Sequence, residues 1–177
     1  MNLILIGYRG TGKSRVGRLV ARRTGMPCVH MDEELERRAG ATIPELVAQF
    51  GWPHFRELEA TLARELTGRE QTIIDTGGGV IERADNIAVL RRDACVIWLK
   101  ASVETIVRRI KGGTQRPALT TGKTFTEEVA EVLERRTPLY ASASHFQIDT
   151  DRLTPAQAAQ RVVEIWEEWK KREGRPA

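Results

Sequence analysis

The sequence predicts an α/β fold in which five parallel strands form one sheet flanked by helices, and three observations carry that expectation. Five short apolar runs recur, at Leu3 to Ile6, Pro27 to Met31, Thr72 to Asp75, Cys95 to Leu99 and Phe146 to Asp149. The stretches between them are longer and show helical periodicity, and strands that alternate with helices pair in parallel with both faces covered. A glycine-rich loop follows the first run directly. A chain of 177 residues suits one domain with a full hydrophobic core. Its 41% apolar and 29% charged residues are those of an ordinary soluble protein and exclude a disordered one.

Taken in order, the first run is far too short for a signal peptide or a membrane span, which points to the cytoplasm. The loop after it enters a helix through Val16, Leu19 and Val20. After the second run comes a helical excursion over about residues 33–66, read as a substrate-binding insert, in which Thr42 with Glu45 matches a capping arrangement. The third run leads into Gly77-Gly78-Gly79, and the fourth into a helical stretch. A polar, glycine-bearing segment over about 112–125 breaks the alternation and is read as a lid. Past the fifth run, Thr154, Pro155 and Gln157 start a last helix whose Ala158, Val162, Ile165, Trp166 and Trp169 make one apolar stripe. The tail from Lys170 onward is expected to fray. Cys28 and Cys95 each sit in an apolar run and read as small core residues, with no disulfide between them.

Lysine and arginine exceed aspartate and glutamate by 28 to 24, a net charge of +4. Because several arginines stand beside motifs rather than in one basic run, the excess points to anionic small ligands and not to nucleic acid. The loop itself shows which anion. Gly7-Tyr8-Arg9-Gly10-Thr11-Gly12-Lys13-Ser14 satisfies G-x-x-x-x-G-K-S/T in full, between a strand and a helix. Glycines let successive backbone N–H groups turn onto phosphate oxygens, and the helix N-terminus adds a partial positive charge. Gly10, Thr11, Gly12, Lys13, Ser14 and Arg15 are therefore the candidate nucleotide residues, with Lys13 reaching the β- and γ-phosphates and the Ser14 hydroxyl directed to Mg²⁺. This P-loop implies ATP or GTP, but a metabolite kinase, a nucleotide kinase and a regulatory nucleotide-binding protein all share it.

Further motifs narrow the choice: Asp32-x-x-Leu35-Glu36 up to Gly40, Phe55-Arg56-x-x-Glu59, the glycine triplet, Gln115-Arg116-Pro117 and Arg136-Thr137-Pro138-Leu139-Tyr140. In this order and spacing the chain resembles the shikimate kinases from Leu3 to about Ala159. The resemblance implies ATP as co-substrate with Mg²⁺, shikimate as acceptor, and a monomer acting on small molecules without nucleic acid or membrane. It further implies that Asp32 holds substrate hydroxyls and accepts the proton of the attacking one, and that Arg56 and Arg136 grip the substrate carboxylate. Gly78 would let the backbone approach the ring, and Arg116 would close over the phosphates as a catalytic group beside Lys13. Arg109 and Pro155 would sandwich adenine, with Arg152 in the same loop although its neighbour Leu153 replaces an often basic residue. Read alone, Asp32 also suits a helix N-cap, Arg56 a surface pair with Glu59, and Arg116 or Arg136 an ordinary surface arginine.

One departure stands out. The family resemblance leads one to expect Asp-x-Asp at the end of the second strand, the first aspartate near the magnesium water shell, yet this chain reads His30-Met31-Asp32. Asp75, after Ile73 and Ile74, stands in turn where an aspartate faces magnesium in related P-loop proteins. The expectation is that Asp75 takes over that negative charge while His30 is neutral or structural; a turn cap or a pair with a nearby arginine is the alternative for Asp75. Two other functions stay open on sequence alone: a gluconate-type sugar-acid kinase, and a P-loop regulatory protein without turnover.

Overall fold

The computed structural model describes residues 1–110 and 124–173. Five strands, β1 (Asn2–Ile6), β2 (Cys28–His30), β3 (Ile73–Asp75), β4 (Ala94–Lys100) and β5 (Phe146–Asp149), form one sheet in the order β2-β3-β1-β4-β5. All four pairings are parallel, as the alternation with helices requires. The helices are α1 (Lys13–Thr24), α2 (Met31–Ala39), α3 (Ile43–Thr67), α4 (Ala84–Arg91), α5 (Val103–Ile110), α6 (Phe125–Ala143) and α7 (Pro155–Arg172), with a 3-10 turn at Val80–Glu82.

Alternation along the strands divides the core in two. Leu3 and Leu5 of β1 join Cys95, Ile97 and Leu99 of β4 beneath α1 and α7, where Val16, Val20, Val162 and Trp166 close the layer. Ile4, Ile6, Ile74, Val96 and Trp98 face the opposite way, onto Leu62 and Leu66 of α3 and Val129, Val132 and Tyr140 of α6. The expected stripe on α7 is thus real, although Trp169 is only partly buried and packs edge-on to Phe146 at 5.7 Å. Cys95 is buried, but Cys28 is only half-buried and lies 3.8 Å from His30. It is not the enclosed core residue its apolar run suggested, because β2 is the edge strand.

The helix starts follow from capping. Thr42, Thr124 and Thr154 each accept from the backbone N–H three residues on, while Glu45, Glu127 and Gln157 reach back to the cap. The insert holds most of α2 and then α3, which is itself two helical pieces because it breaks at Gly51, whose φ is 79°. Pro53 falls in the first turn after that break, where its missing N–H removes no hydrogen bond. The expected lid lies outside the described residues except for Thr124 and Phe125, which begin α6. No helix among the described residues is long and apolar enough to cross a membrane.

Gly7 fixes how the loop leaves β1. Its φ is 144°, and a Cβ there would lie 2.2 Å from the carbonyl oxygen of Leu99 in β4. Gly25, the C-cap of α1, also has positive φ, at 74°, but a Cβ there would meet nothing within 4 Å. Chemical denaturation should therefore give about 1–2 kcal/mol for Gly25→Ala, the backbone penalty alone, and several kcal/mol more for Gly7→Ala, if that variant folds. Equal costs would show that the approach to Leu99 does not constrain the loop.

Candidate active site

All five strands end at one edge of the sheet, and the candidate residues gather there. After Ile6 the loop curls around its own lysine: the Lys13 ammonium donates to the carbonyls of Gly7 at 2.8 Å and Tyr8 at 3.2 Å. The Thr11 hydroxyl donates to the same Tyr8 carbonyl at 2.8 Å. α1 begins at Lys13 with no acidic residue in its first turn, and its positive end faces the loop.

A cavity of about 890 Å³ opens over this loop. Gly10 to Arg15 form one wall, His30, Asp32 and Asp75 another, and Arg109 and Pro155 line the far end. Arg109 is held in place by Thr150, whose carbonyl accepts from Nη2 at 2.7 Å and whose hydroxyl accepts from Nη1 at 3.0 Å. Arg152 is exposed and lines no part of the cavity, whereas its neighbour Leu153 does. Arg116 lies outside the described residues.

Beside it is a smaller cavity of about 40 Å³, lined by Arg9, Asp32, Arg56, Glu59, Gly78 and Arg136 among others. Asp32 and Gly78 line both cavities. Asp32 sits in the first turn of α2, whose N-cap is His30, so Asp32 is not the cap. Arg56 donates from Nη1 to Glu59 Oε2 at 2.8 Å, and its guanidinium lies 5.2 Å from the Trp52 ring centre. The pairing with Glu59 does exist, but on a site wall and not on a solvated face: Glu59 is 1% exposed. Its second oxygen, Oε1, is buried without a hydrogen-bond partner. Burial pushes the Glu59 carboxyl above the usual range, against the opposing pull of Arg56.

Arg136 is buried too, and its Nε donates to Glu82 Oε1 at 2.9 Å. The same oxygen accepts from Arg135 at 2.8 Å, and Oε2 lies 3.5 Å from Nη2 of Arg56. Partial burial alone would raise the Glu82 carboxyl, but Arg136, Arg56 and Arg135 together hold it below its ordinary value. The glycine triplet serves these side chains differently from what Gly78 alone suggested. A Cβ at Gly78 would have 3.4 Å to its nearest neighbour, while one at Gly79 would lie 2.2 Å from Arg56 Nη2 and one at Gly77 2.5 Å from Glu59 Oε1. The outer glycines admit Arg56 and Glu59 against the backbone.

Across β2 and β3, His30 and Asp75 are register partners, and His30 Nδ1 donates to Asp75 Oδ2 at 2.8 Å. That hydrogen bond, helped by Cys28 and opposed by burial, raises His30 to about 10. His30 thus takes the structural alternative of the expectation, and Asp75 pairs with it rather than with an arginine. Asp75 Oδ1 is buried without a hydrogen-bond partner in the wall of the larger cavity. Sequence reasoning assigned no role to Glu82, which has no motif around it, and used Glu59 only as a pairing partner, although its i+3 spacing from Arg56 was a usable signal.

Known proteins resemble this chain over most of its length. The family described as shikimate kinase matches residues 9–167. A shikimate kinase of Thermodesulfovibrio yellowstonii is 39% identical over 94% of this chain and 95% of its own length. One from Nitratidesulfovibrio vulgaris is 41% identical over 84% of this chain and 86% of its own. The solved structure of shikimate kinase from Acinetobacter baumannii in complex with shikimate superposes with a TM-score of 0.90 at 32% identity, covering 96% of this chain and 94% of that one.

The pairing around Glu82 has a pH signature. A carboxyl lowered in the folded protein adds stability above its unfolded value, and that contribution disappears as pH falls through the folded one. Glu82→Gln should lower stability at pH 7 by on the order of 1 kcal/mol, because the site is partly exposed. Melting curves of the two proteins should converge as pH falls below about 4.5, the region in which the carboxylate is lost. A difference that stays constant down to pH 3 would mean that the arginines do not engage Glu82 as an ion.

Proposed function

We infer the reaction from membership: the chain belongs to the shikimate kinase family. The protein is an ATP-dependent kinase that transfers the γ-phosphoryl group to a hydroxyl of shikimate, giving shikimate 3-phosphate and ADP on the way to chorismate and the aromatic amino acids. The observation that carries this reading is the adjacency of two unlike cavities. One is built for phosphates, the other for a small acid, and Asp32 lines both. A sugar-acid kinase and a turnover-free regulator share the loop but not the family. The reading includes a cytoplasmic monomer whose substrates are small molecules.

On the nucleotide side, the backbone of Gly10 to Ser14 receives the phosphates with Lys13, and Arg109 and Pro155 flank the base. On the acceptor side, Arg56 and Arg136 take the carboxylate in charge-assisted hydrogen bonds. Asp32 orients the attacking hydroxyl and accepts its proton, close enough to the nucleotide cavity for in-line attack on the γ-phosphorus. Gly78 forms the floor between the two. Arg116, which lies outside the described residues, is assigned by the family resemblance alone, as a guanidinium that would offset charge moving to the leaving oxygen. Catalysis of this kind rests on positioning and charge, with little covalent work for the protein.

The residues present suit Mg²⁺ bound mainly by phosphates and water. Ser14 offers a hydroxyl at the loop, and Asp75 offers Oδ1, a buried carboxylate oxygen left without a protein partner. Among the described residues no cluster of three or more acidic, histidine or cysteine side chains could cage a metal by itself, which matches an ion that keeps several waters. A magnesium ion held by Ser14 and Asp75 would supply positive charge to offset that of the phosphates.

An assay coupled to ADP release, run with shikimate, quinate and gluconate, should show turnover with shikimate; stimulation by gluconate alone would overturn the reading. Arg56→Ala and Arg136→Ala should each raise the shikimate KM about 10- to 150-fold, equivalent to about 1.5–3 kcal/mol for a lost charged hydrogen bond, with ATP affinity almost unchanged. Asp75→Asn should weaken the Mg²⁺ dependence of ADP binding, followed by calorimetry, by about tenfold or 1.4 kcal/mol. His30→Ala should do much less, and the reverse order would take Asp75 out of the magnesium site.

A further inference from the structure

The two guanidinium groups assigned above to the substrate carboxylate already hold a carboxylate, that of Glu82. Arg136 Nε reaches Glu82 Oε1 at 2.9 Å and Arg56 Nη2 lies 3.5 Å from Oε2. We propose that Glu82 is a displaceable internal carboxylate that covers the acid-binding arginines in the free enzyme, and so sets both the affinity for the acid substrate and the discrimination against uncharged analogues. The proposal rests on the assignment of Arg56 and Arg136 to the substrate carboxylate.

Mobility supports displacement. The cavity of about 40 Å³ beside the glycine triplet is lined by both arginines but not by Glu82, which meets them from outside that lining. Glu59 is 1% exposed and wedged against Gly77, so it has nowhere to go. Glu82 differs on each count. It ends a one-turn 3-10 element, its side chain is 27% exposed, and its Oε1 is already shared with Arg135, which is itself exposed. Swinging outward, Glu82 keeps Arg135 as a partner while giving up Arg56 and Arg136.

Charge supports it as well. An incoming carboxylate replaces one anion by another, so the buried Arg136 is never left without a counter-ion. The observed affinity is then a difference between two similar interactions and not the full strength of one. An uncharged analogue makes no such exchange: moving Glu82 for it would take from Arg136 the carboxylate that its Nε binds and put no anion in its place. Internal competition thus costs affinity for the true substrate and enlarges the gap to its neutral relatives.

The test is equilibrium binding to the whole protein, followed by tryptophan fluorescence, since Trp52 lies against Arg56, and checked by calorimetry. Ligands are shikimate, its methyl ester and ADP. Glu82→Gln should bind shikimate about 3- to 10-fold more tightly, bind the ester no more tightly than before, and leave ADP affinity unchanged. Glu82→Asp, which keeps the charge but shortens its reach, should fall between the two. Unchanged or weaker shikimate binding in both variants would overturn the proposal and make Glu82 a support for the arginines. A parallel Arg56→Ala measurement separates the failures: if it leaves shikimate binding intact, the carboxylate assignment itself is wrong. If Arg56→Ala weakens binding while Glu82→Gln does not tighten it, only the role of Glu82 falls.

Discussion

Parallel pairing is the constraint on which the rest of this structure depends. Because every strand of β2-β3-β1-β4-β5 points the same way, every strand ends at the same edge. The phosphate loop after Ile6, Asp32 just past His30, the glycine triplet after Asp75 and the Thr150 that braces Arg109 are then neighbours, although they span most of the chain. β1 occupies the centre, with β3 on one side and β4 on the other, and the crevice above such a central strand is where a parallel sheet accepts a ligand. The helices on both faces have to pack well enough to hold that edge. They do so with the two alternating apolar layers, whose residues come in turn from odd and even positions of β1.

The second cavity adds a different constraint. Arg136 is largely withdrawn from water and Arg56 mostly so, and guanidinium groups cannot be neutralised by losing a proton. Each needs an acid nearby whether or not substrate is present. Glu59 meets part of that need permanently, and the glycines on either side of Gly78 exist in part to let Arg56 and Glu59 lie flat against the backbone. Glu82 meets the rest. The charge arrangement of the acceptor site is therefore complete within the protein, which is a requirement of stability that affects binding.

The fold was legible in the sequence because it follows from period and punctuation. Short apolar runs against helical stretches distinguish strand from helix, and threonine caps mark where α3 and α7 begin. The phosphate loop was legible for the same local reason. What the sequence did not disclose are contacts set by register or by long loops. Glu82 meets Arg136 across 54 positions of chain, and nothing local to either predicts it. The steric role of Gly77 and Gly79 was hidden behind Gly78, since the triplet shows three equal residues and only the packing tells which of them a side chain would obstruct. Cys28 was misread because a strand run does not say whether its strand is central or at the edge.

The exchange around His30 shows how such a contact can be anticipated once the topology is known. Judged along the chain, a histidine at position 30 and an aspartate at position 75 are unrelated. In the sheet they are register partners on adjacent strands, one strand spacing apart, about 4.8 Å. The histidine is not idle, because it donates to Asp75 Oδ2, while Oδ1 stays buried without a hydrogen-bond partner.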